Sequence, residues 1–444
     1  MGREATPEEE HAAMSNGDVS INQTVYDGAT GIWIVIGPIT PARPPGPEVP
    51  PPVVTSEYFV SPLGDDANPG TEVAPWRTVN HALPKLSATS ALTLRGGVYP
   101  EAIELIGWKG GPLGTDWPSA IQIRAKAGEP VTLCPPGGST WGAYLRGSQS
   151  GSSDAPRWMV FDGILFDCQN VASVGFYVSA WDSTCTPANA PAHHIRLSRC
   201  RITNVQHSQG FSAMWGSDGC EFLDGEVDHV AGPSHDNNNT QAFYVASNDF
   251  ILRRSHIHHC WGYGVSNLSS LPGCDVNRHI VEGNHVHHCG QGGTGLGGIN
   301  LGEGVGHFVV NNNVHDNLGP GINLRFNPGP GSTRLVIAAN TVLRNQGEGI
   351  YISGAQQGTE VHSNISQGNG GGDYVDLGVG TIVSTNLFGI DPLVVDAAAG
   401  NIRLTAGSPA RGMGRSHAKI PTDFYGAPRP TSGACDGGAA QYVP

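Results

Sequence analysis

The chain has 444 residues, 63 of them Gly and 33 Pro, with only 14% charged residues and a net charge of −14. That composition suits many short strands and tight turns rather than a helical bundle. The negative charge argues against nucleic acid, which needs a basic surface, and no apolar run of about 18 residues predicts membrane insertion. Nine cysteines without any Cys-x-x-Cys spacing argue against a zinc ribbon or a thioredoxin-type site.

In chain order, residues 1–18 (MGREATPEEEHAAMSNGD) are acidic and polar, read as disordered, and do not resemble a secretory signal. Residues 19–37 carry two short β-prone runs around a DGATG turn, a possible hairpin closing an N-terminal extension over 1–37. A Pro-rich stretch over 38–56 reads as a polyproline-type linker. The main domain is expected over 57–444.

From about 158 onward the chain repeats. Ile202, Val227, Ile257, Val286, Val314 and Val342 align at spacings of 25, 30, 29, 28 and 28, and Asn284, Asn312 and Asn340 each stand two residues before one of them. A second element recurs as GFYVSA (175–180), AFYVAS (242–247), GINLGE (298–303), GINLRF (321–326) and GIYISG (349–354). Each unit is then two or three short strands joined by Gly/Asn/Asp turns. One such unit cannot bury its own apolar face, so the units must stack into a solenoid with a continuous core.

The opening segment YFVSPLGDDANPGTEVAPWRTVNHAL (58–83), LTLRGGVYPEAIEL (92–105) and WMVFDGILFDC (158–168) resemble bacterial secreted proteins of the right-handed parallel β-helix type. So do the closing segments DPLVVDAAAGNIRLTAGSPARGMG (391–414), DFYGAPRP (423–430) and DGGAAQY (436–442), with ARGMG departing from the family's usual acidic version. The resemblance implies an all-β, right-handed parallel β-helix with a short N-terminal extension. It leaves the reaction open among polysaccharide lyases, glycosidases, epimerases and phage tailspikes, because one scaffold hosts all of them.

Strand parity places Tyr177, Tyr244, Asn300, Asn323 and Tyr351 in one outward column. Tyrosine faces suit sugar rings, and Asn and Arg suit hydroxyls or carboxylates, so these five residues, with Asp218 and Gln241, are the expected substrate-binding set. Glycoside hydrolysis needs two carboxyl groups about 5–9.5 Å apart, and Glu303 and Glu348 flank the same strands as acid and base or nucleophile. Elimination needs a base and a cation. With no lysine between 127 and 418, Arg325 would serve as base or as carboxylate clamp, with His235, paired with Asp236, as the alternative proton carrier. Each of these groups also has a plainer reading, as a turn former or a solvated surface charge.

HIHHC (256–260) and HVHHC (285–289) lie 29 residues apart. Aligned on the buried aliphatic residue, they give one column of Asp228, His258, His287, His315 and Leu343 and another of Glu226, His256, His285, Asn313 and Thr341. His256, His258, His285 and His287 could converge on a zinc-like ion. The same slots accept Asn, Thr and Leu one coil later, so like-on-like stacking is the preferred reading and no metal is assigned. Cys260 and Cys289 share a column at disulfide spacing, with two buried thiols the preferred reading.

These features predict a carbohydrate-active enzyme cleaving an extracellular polysaccharide, with hydrolysis ahead of lysine-independent elimination. The alternative is a structural or adhesive β-helix protein such as a tailspike-like fibre. No cofactor is required, calcium is possible, the partner is a polysaccharide, and the protein is a monomer or homotrimer located outside the cell or on a cell or virion surface.

Overall fold

The computed structural model describes residues 22–27, 32–38, 51–148, 155–180, 190–232, 240–267, 275–293, 295–325 and 332–444. The chain is a right-handed parallel β-helix: each coil adds one strand to each of three parallel sheets of 12, 11 and 10 strands. In coil order, the first sheet runs from Ser56–Val60 to Ile382–Ser384, the second from Gly97–Tyr99 to Leu387–Phe388, and the third from Ile103–Ile106 to Tyr374–Asp376. Ahead of the coils, Asn22–Asp27 pairs antiparallel with Ile32–Pro38. The end of the Pro-rich stretch is bonded to the body, with the Val53 amide donating to the Pro118 carbonyl at 2.8 Å and Gln122 Nε2 to the Pro52 carbonyl at 3.0 Å.

The aliphatic column that sets the repeat lies inside. Ile202, Val227, Ile257, Val286, Val314 and Val342 pair in register through the second sheet, and all are fully buried. Between the first and second sheets each coil turns through one left-handed residue, among them Asp224, Arg254, Asn311, Ala339 and Ser363, with φ between 50° and 59°. Several have a Cβ and sit in this region at a steric cost, which the buried asparagine that follows helps to offset. Asn284, Asn312, Asn340, Asn364 and Asn386 form a ladder in which each Nδ2 donates to the next Oδ1 at 3.0 Å. A second ladder, Asn317–Asn345–Asn369, lines the next corner and ends on Asp373. Each ladder satisfies amides that burial would otherwise leave bare.

The glycine that opens the third-sheet motif has a steric reason. A Cβ on Gly175 would stand 2.3 Å from Ile202 Cγ2 and 2.5 Å from the Gly210 carbonyl oxygen, and Gly210 and Gly321 meet the same obstruction one or more coils on.

Two third-sheet strands escape the sequence motif, Phe211–Met214 and Val265–Asn267. Neither carries an aromatic or Asn at the outward position; Ser212 and Ser266 stand there instead. The expected column is therefore longer than its motifs, with Tyr177 and Tyr244 two coils apart rather than neighbours.

The closing segment does not merely cap the end. Val394–Asp396 pairs antiparallel with Asn401–Leu404, and the chain then folds back over the outer face of the second sheet. Asn313 Nδ2 donates to the Gly400 carbonyl at 2.9 Å, the Ala439 amide to Thr341 Oγ1 at 2.8 Å, and Arg429 Nη2 to Asn311 Oδ1 at 2.9 Å. Among the described residues no helix is long and apolar enough to cross a membrane.

Candidate functional site

The outward column of the third sheet runs Tyr144, Tyr177, Ser212, Tyr244, Ser266, Asn300, Asn323 and Tyr351, each paired with the next. Seven steps at the inter-strand spacing make it about 34 Å long, the length of an extended oligomer rather than a small ligand. Its first half is aromatic. Trp141 stacks on Tyr144 with ring centroids 4.3 Å apart, Tyr144 meets Tyr177 edge-on at 5.6 Å, and Tyr177 meets Trp215 at 6.2 Å. Met214, Ala246 and Val276 pack beneath Tyr177, Trp215 and Tyr244. Burial raises the Tyr177 hydroxyl above its ordinary range, with the neighbouring tyrosines adding to the effect. It is therefore a neutral hydrogen-bonding group rather than a base.

The second half is polar. Arg325 Nη2 donates to Glu348 Oε1 at 2.7 Å, and its guanidinium lies 4.5 Å over the Tyr351 ring. The Arg325 amide donates to Asn323 Oδ1 at 2.8 Å, and the Asn300 amide group, oriented to donate, reaches the Asn323 and Arg325 carbonyls at 2.8 and 3.1 Å. Asn300 thus fixes the strand from which Arg325 projects. The Arg325 side chain is 41% exposed and that of Glu348 18%, so the pair meets solvent at the edge of the face. Tyr263 stands near Arg325 and donates its hydroxyl to the Gly295 carbonyl at 2.8 Å.

Of the residues expected from sequence, the structure brings together Asn300, Asn323, Arg325, Glu348 and Tyr351. It does not bring Glu303 to Glu348. Glu303 follows the column position Asn300 by three residues, whereas Glu348 precedes Tyr351 by three, so they stand beyond opposite ends of their third-sheet strands. Glu303 is also buried, and its carbonyl accepts from Asn267 Nδ2 at 2.8 Å and His307 Nε2 at 2.5 Å. Asn323 is buried too, beneath its neighbours. Asp218 is committed to a corner, where its carboxylate accepts from the Asn248 amide at 2.8 Å. Gln241 is buried at the start of Phe243–Ala246. His235 and Asp236 lie outside the described residues. Sequence reading missed Trp141, Tyr144 and Trp215. Tyr144 had a signal, since WGAYLR (141–146) has the aromatic parity of GFYVSA one coil upstream; Trp215 lies just past a strand that had none.

The second sheet holds both histidine columns in the expected register, but not as an open patch. His256, His258, His285, His287 and His315 are buried, partly under the closing segment; Phe424 stands 6.3 Å from His285. A third column was not foreseen: His229, His259 and His288 occupy left-handed corner positions, with His259 and His288 stacked at 5.1 Å. Desolvation holds His256, His285 and His287 well below the usual imidazole range, with the neighbouring histidines adding to it. Desolvation also brings His258 down to about 3. At neutral pH these rings are uncharged. Cys260 and Cys289 are buried free thiols in one column.

A cleft of about 700 Å³ lies instead at the corner of the first and second sheets. Its charges are matched within the wall: Arg124 with Glu57 at 2.8 Å, Lys126 with Glu72 at 2.7 Å, and Arg199 with Asp162. It has no aromatic platform comparable to the third sheet, which is therefore the better candidate for a glycan.

The profile described as right handed beta helix region matches residues 235–388. Among solved structures, the pectate lyase Pel9A is similar at 13% identity over 88% of this chain and 98% of its own, with a TM-score of 0.63. A rhamnogalacturonan lyase is similar at 14% identity over 79% of this chain and 97% of its own, with a TM-score of 0.45. At these identities the likeness shows the fold alone. No curated protein matches.

Proposed function

We propose that the protein is a carbohydrate-active enzyme that cleaves an extended polysaccharide lying along the outer face of the third sheet, parallel to the helix axis. The observation that carries this reading is that one face holds both the aromatic groups Trp141, Tyr144, Tyr177, Trp215 and Tyr244 and, beyond Ser266, the polar group Asn300, Arg325, Glu348 and Tyr351. Aromatic rings bind sugar faces without regard to charge; the guanidinium of Arg325 adds planar, two-pronged recognition of a carboxylate.

Because Glu303 stands away from Glu348, the reading favours elimination on a uronate-containing chain over hydrolysis by that pair. In elimination the proton α to the uronate carboxylate is removed, charge develops on that carboxylate, a carbon–carbon double bond forms as the bond to the leaving oxygen breaks, and that oxygen takes a proton from solvent. Arg325 is placed to neutralise the developing charge, and the Glu348 carboxylate, once substrate displaces part of its ion pair, to receive the proton. The overlap of the scaffold with Pel9A, a pectate lyase, agrees with this reaction class.

The test is a panel of acidic and neutral polysaccharides read both as new reducing ends and as absorbance of unsaturated uronates. Absorbance that rises with the reducing ends, and is lost in Arg325→Ala and Glu348→Gln, supports elimination at this site. Reducing ends without absorbance would point to hydrolysis, and no activity on any glycan to the adhesive-fibre alternative.

A further inference from the structure

The histidine ladder of the second sheet is not needed for the glycan face. We propose that it is a binding site for one first-row transition-metal dication of the zinc type, with His256, His285 and His287 as ligands.

The three residues each offer one ligand atom, and these atoms lie within 4.8 Å of one another. They come from two adjacent coils, His256 pairing with His285 and His258 with His287 in the sheet register. A tetrahedral ion with bonds of 2.0–2.1 Å needs ligand atoms about 3.4 Å apart. The Nε2 atoms of His256 and His287 are 2.7 Å apart, so a change of under about 1 Å, within reach of small χ rotations, would open the required space.

The proton assignments around the cluster point the same way. Asp316, held down to about 2 by His315 and Arg344 against the opposing effect of burial, is ionised and can only accept. His315 Nδ1 donates to it at 2.7 Å. His285 Nε2 lies 2.6 Å from His315 Nε2, so one proton is shared between the two rings. His256 Nε2 and His287 Nε2 share one proton across 2.7 Å, and His256 Nδ1 is buried without a hydrogen-bond partner. A cation that replaces the proton shared by His256 Nε2 and His287 Nε2 would take up both lone pairs, with His256 Nδ1 carrying the ring proton.

The surrounding groups act as a second shell. His288 Nδ1 lies 2.6 Å from His287 Nδ1 and can accept a hydrogen bond from it, which leaves His287 Nε2 as the lone pair that ligates. The other possible group, Glu226 with His256 and His258, is less available. His258 faces Glu226 through Nε2 at 3.1 Å and His259 through Nδ1 at 2.6 Å, so an ion there would break an existing contact between imidazole and carboxylate. Three imidazoles without a carboxylate select zinc, copper or nickel over calcium or magnesium. An ion here would tie two coils together beneath the closing segment, a stabilising role remote from the glycan face.

The test uses the full chain, stripped with a chelator and titrated separately with Zn²⁺, Co²⁺ and Ca²⁺. The expected results are close to one zinc per chain by elemental analysis, visible d–d bands of tetrahedral cobalt, a rise in the melting temperature with zinc, and no response to calcium. His256→Gln with His287→Gln, which keep hydrogen-bonding capacity and approximate volume, should abolish all three signals. His81→Gln, remote from the cluster, should preserve them. Absence of zinc uptake and of cobalt bands in the wild-type chain would overturn the proposal without reference to any variant. Equal uptake by a folded double variant would overturn the ligand assignment.

Discussion

The second and third sheets are built from the same coils, yet their outer faces have opposite fates. On the second, the columns through His256 and His258 are covered from His285 onward by the chain's own closing segment, and the imidazoles are desolvated and neutral. On the third, rings of the same β-prone character remain half-buried at a surface, and the one ion pair at its polar end, Arg325–Glu348, reaches solvent. The contrast teaches that an outward column is a binding face only where nothing else in the chain has been laid over it.

Acid tests which buried rings depend on remaining dry, and should have the largest effect. At the corner between the third and first sheets, burial lowers His279 to about 4 and His307 to about 3. Their folded values lie below the unfolded one of about 6.5, so the unfolded chain takes up protons first and stability falls as pH drops below that value. By pH 5 each ring is expected to cost on the order of 2 kcal/mol. Denaturant midpoints at pH 7.5 and 5 would measure this, and His307→Gln should flatten the slope. An unchanged midpoint would show that the rings are not desolvated.

Lifting the cover from the second sheet comes next. Gly400 has φ +66°, and a Cβ there would meet His315 Nε2 at 2.8 Å and His285 Nε2 at 3.1 Å. Gly400→Val should therefore destabilise by about 3 kcal/mol and raise proteolysis of the closing segment, while activity at low temperature persists. On the open face, Arg325→Ala should lower kcat/KM on a uronate polymer about 100-fold, or roughly 2.7 kcal/mol, with little change in melting temperature because the residue is surface-exposed. The smallest effect is expected from Tyr244→Ala, a rise in KM of about fivefold, near 1 kcal/mol, with kcat retained. A loss of stability equal to the loss of binding in Tyr244→Ala would show that the ring serves the core.

Much of this was legible because a solenoid writes its architecture into a period. The spacing of Ile257, Val286 and Val314 aligned the second sheet correctly, and with it both histidine columns. Asn284, Asn312 and Asn340 were visible as a recurrence, although their end-to-end hydrogen bonding needs coordinates. The third-sheet column was misjudged in length because Phe211–Met214 and Val265–Asn267 carry small outward residues that leave no pattern. Glu303 and Glu348 looked like partners because each borders a GIxΦ strand, where Φ is apolar. Sequence adjacency does not tell which end of the strand a residue occupies relative to another coil.

By itself the sequence determined the repeat, the parallel stacking of coils and which side chains face inward, because alternation and period act locally and each coil must satisfy them. Only the tertiary structure decided that the histidines are covered, that Arg325 rather than Glu303 stands against Glu348, and that the aromatic run begins at Trp141. Those facts depend on contacts between segments up to 118 residues apart, such as Arg429 with Asn311, and no local pattern records where a closing segment will come to rest.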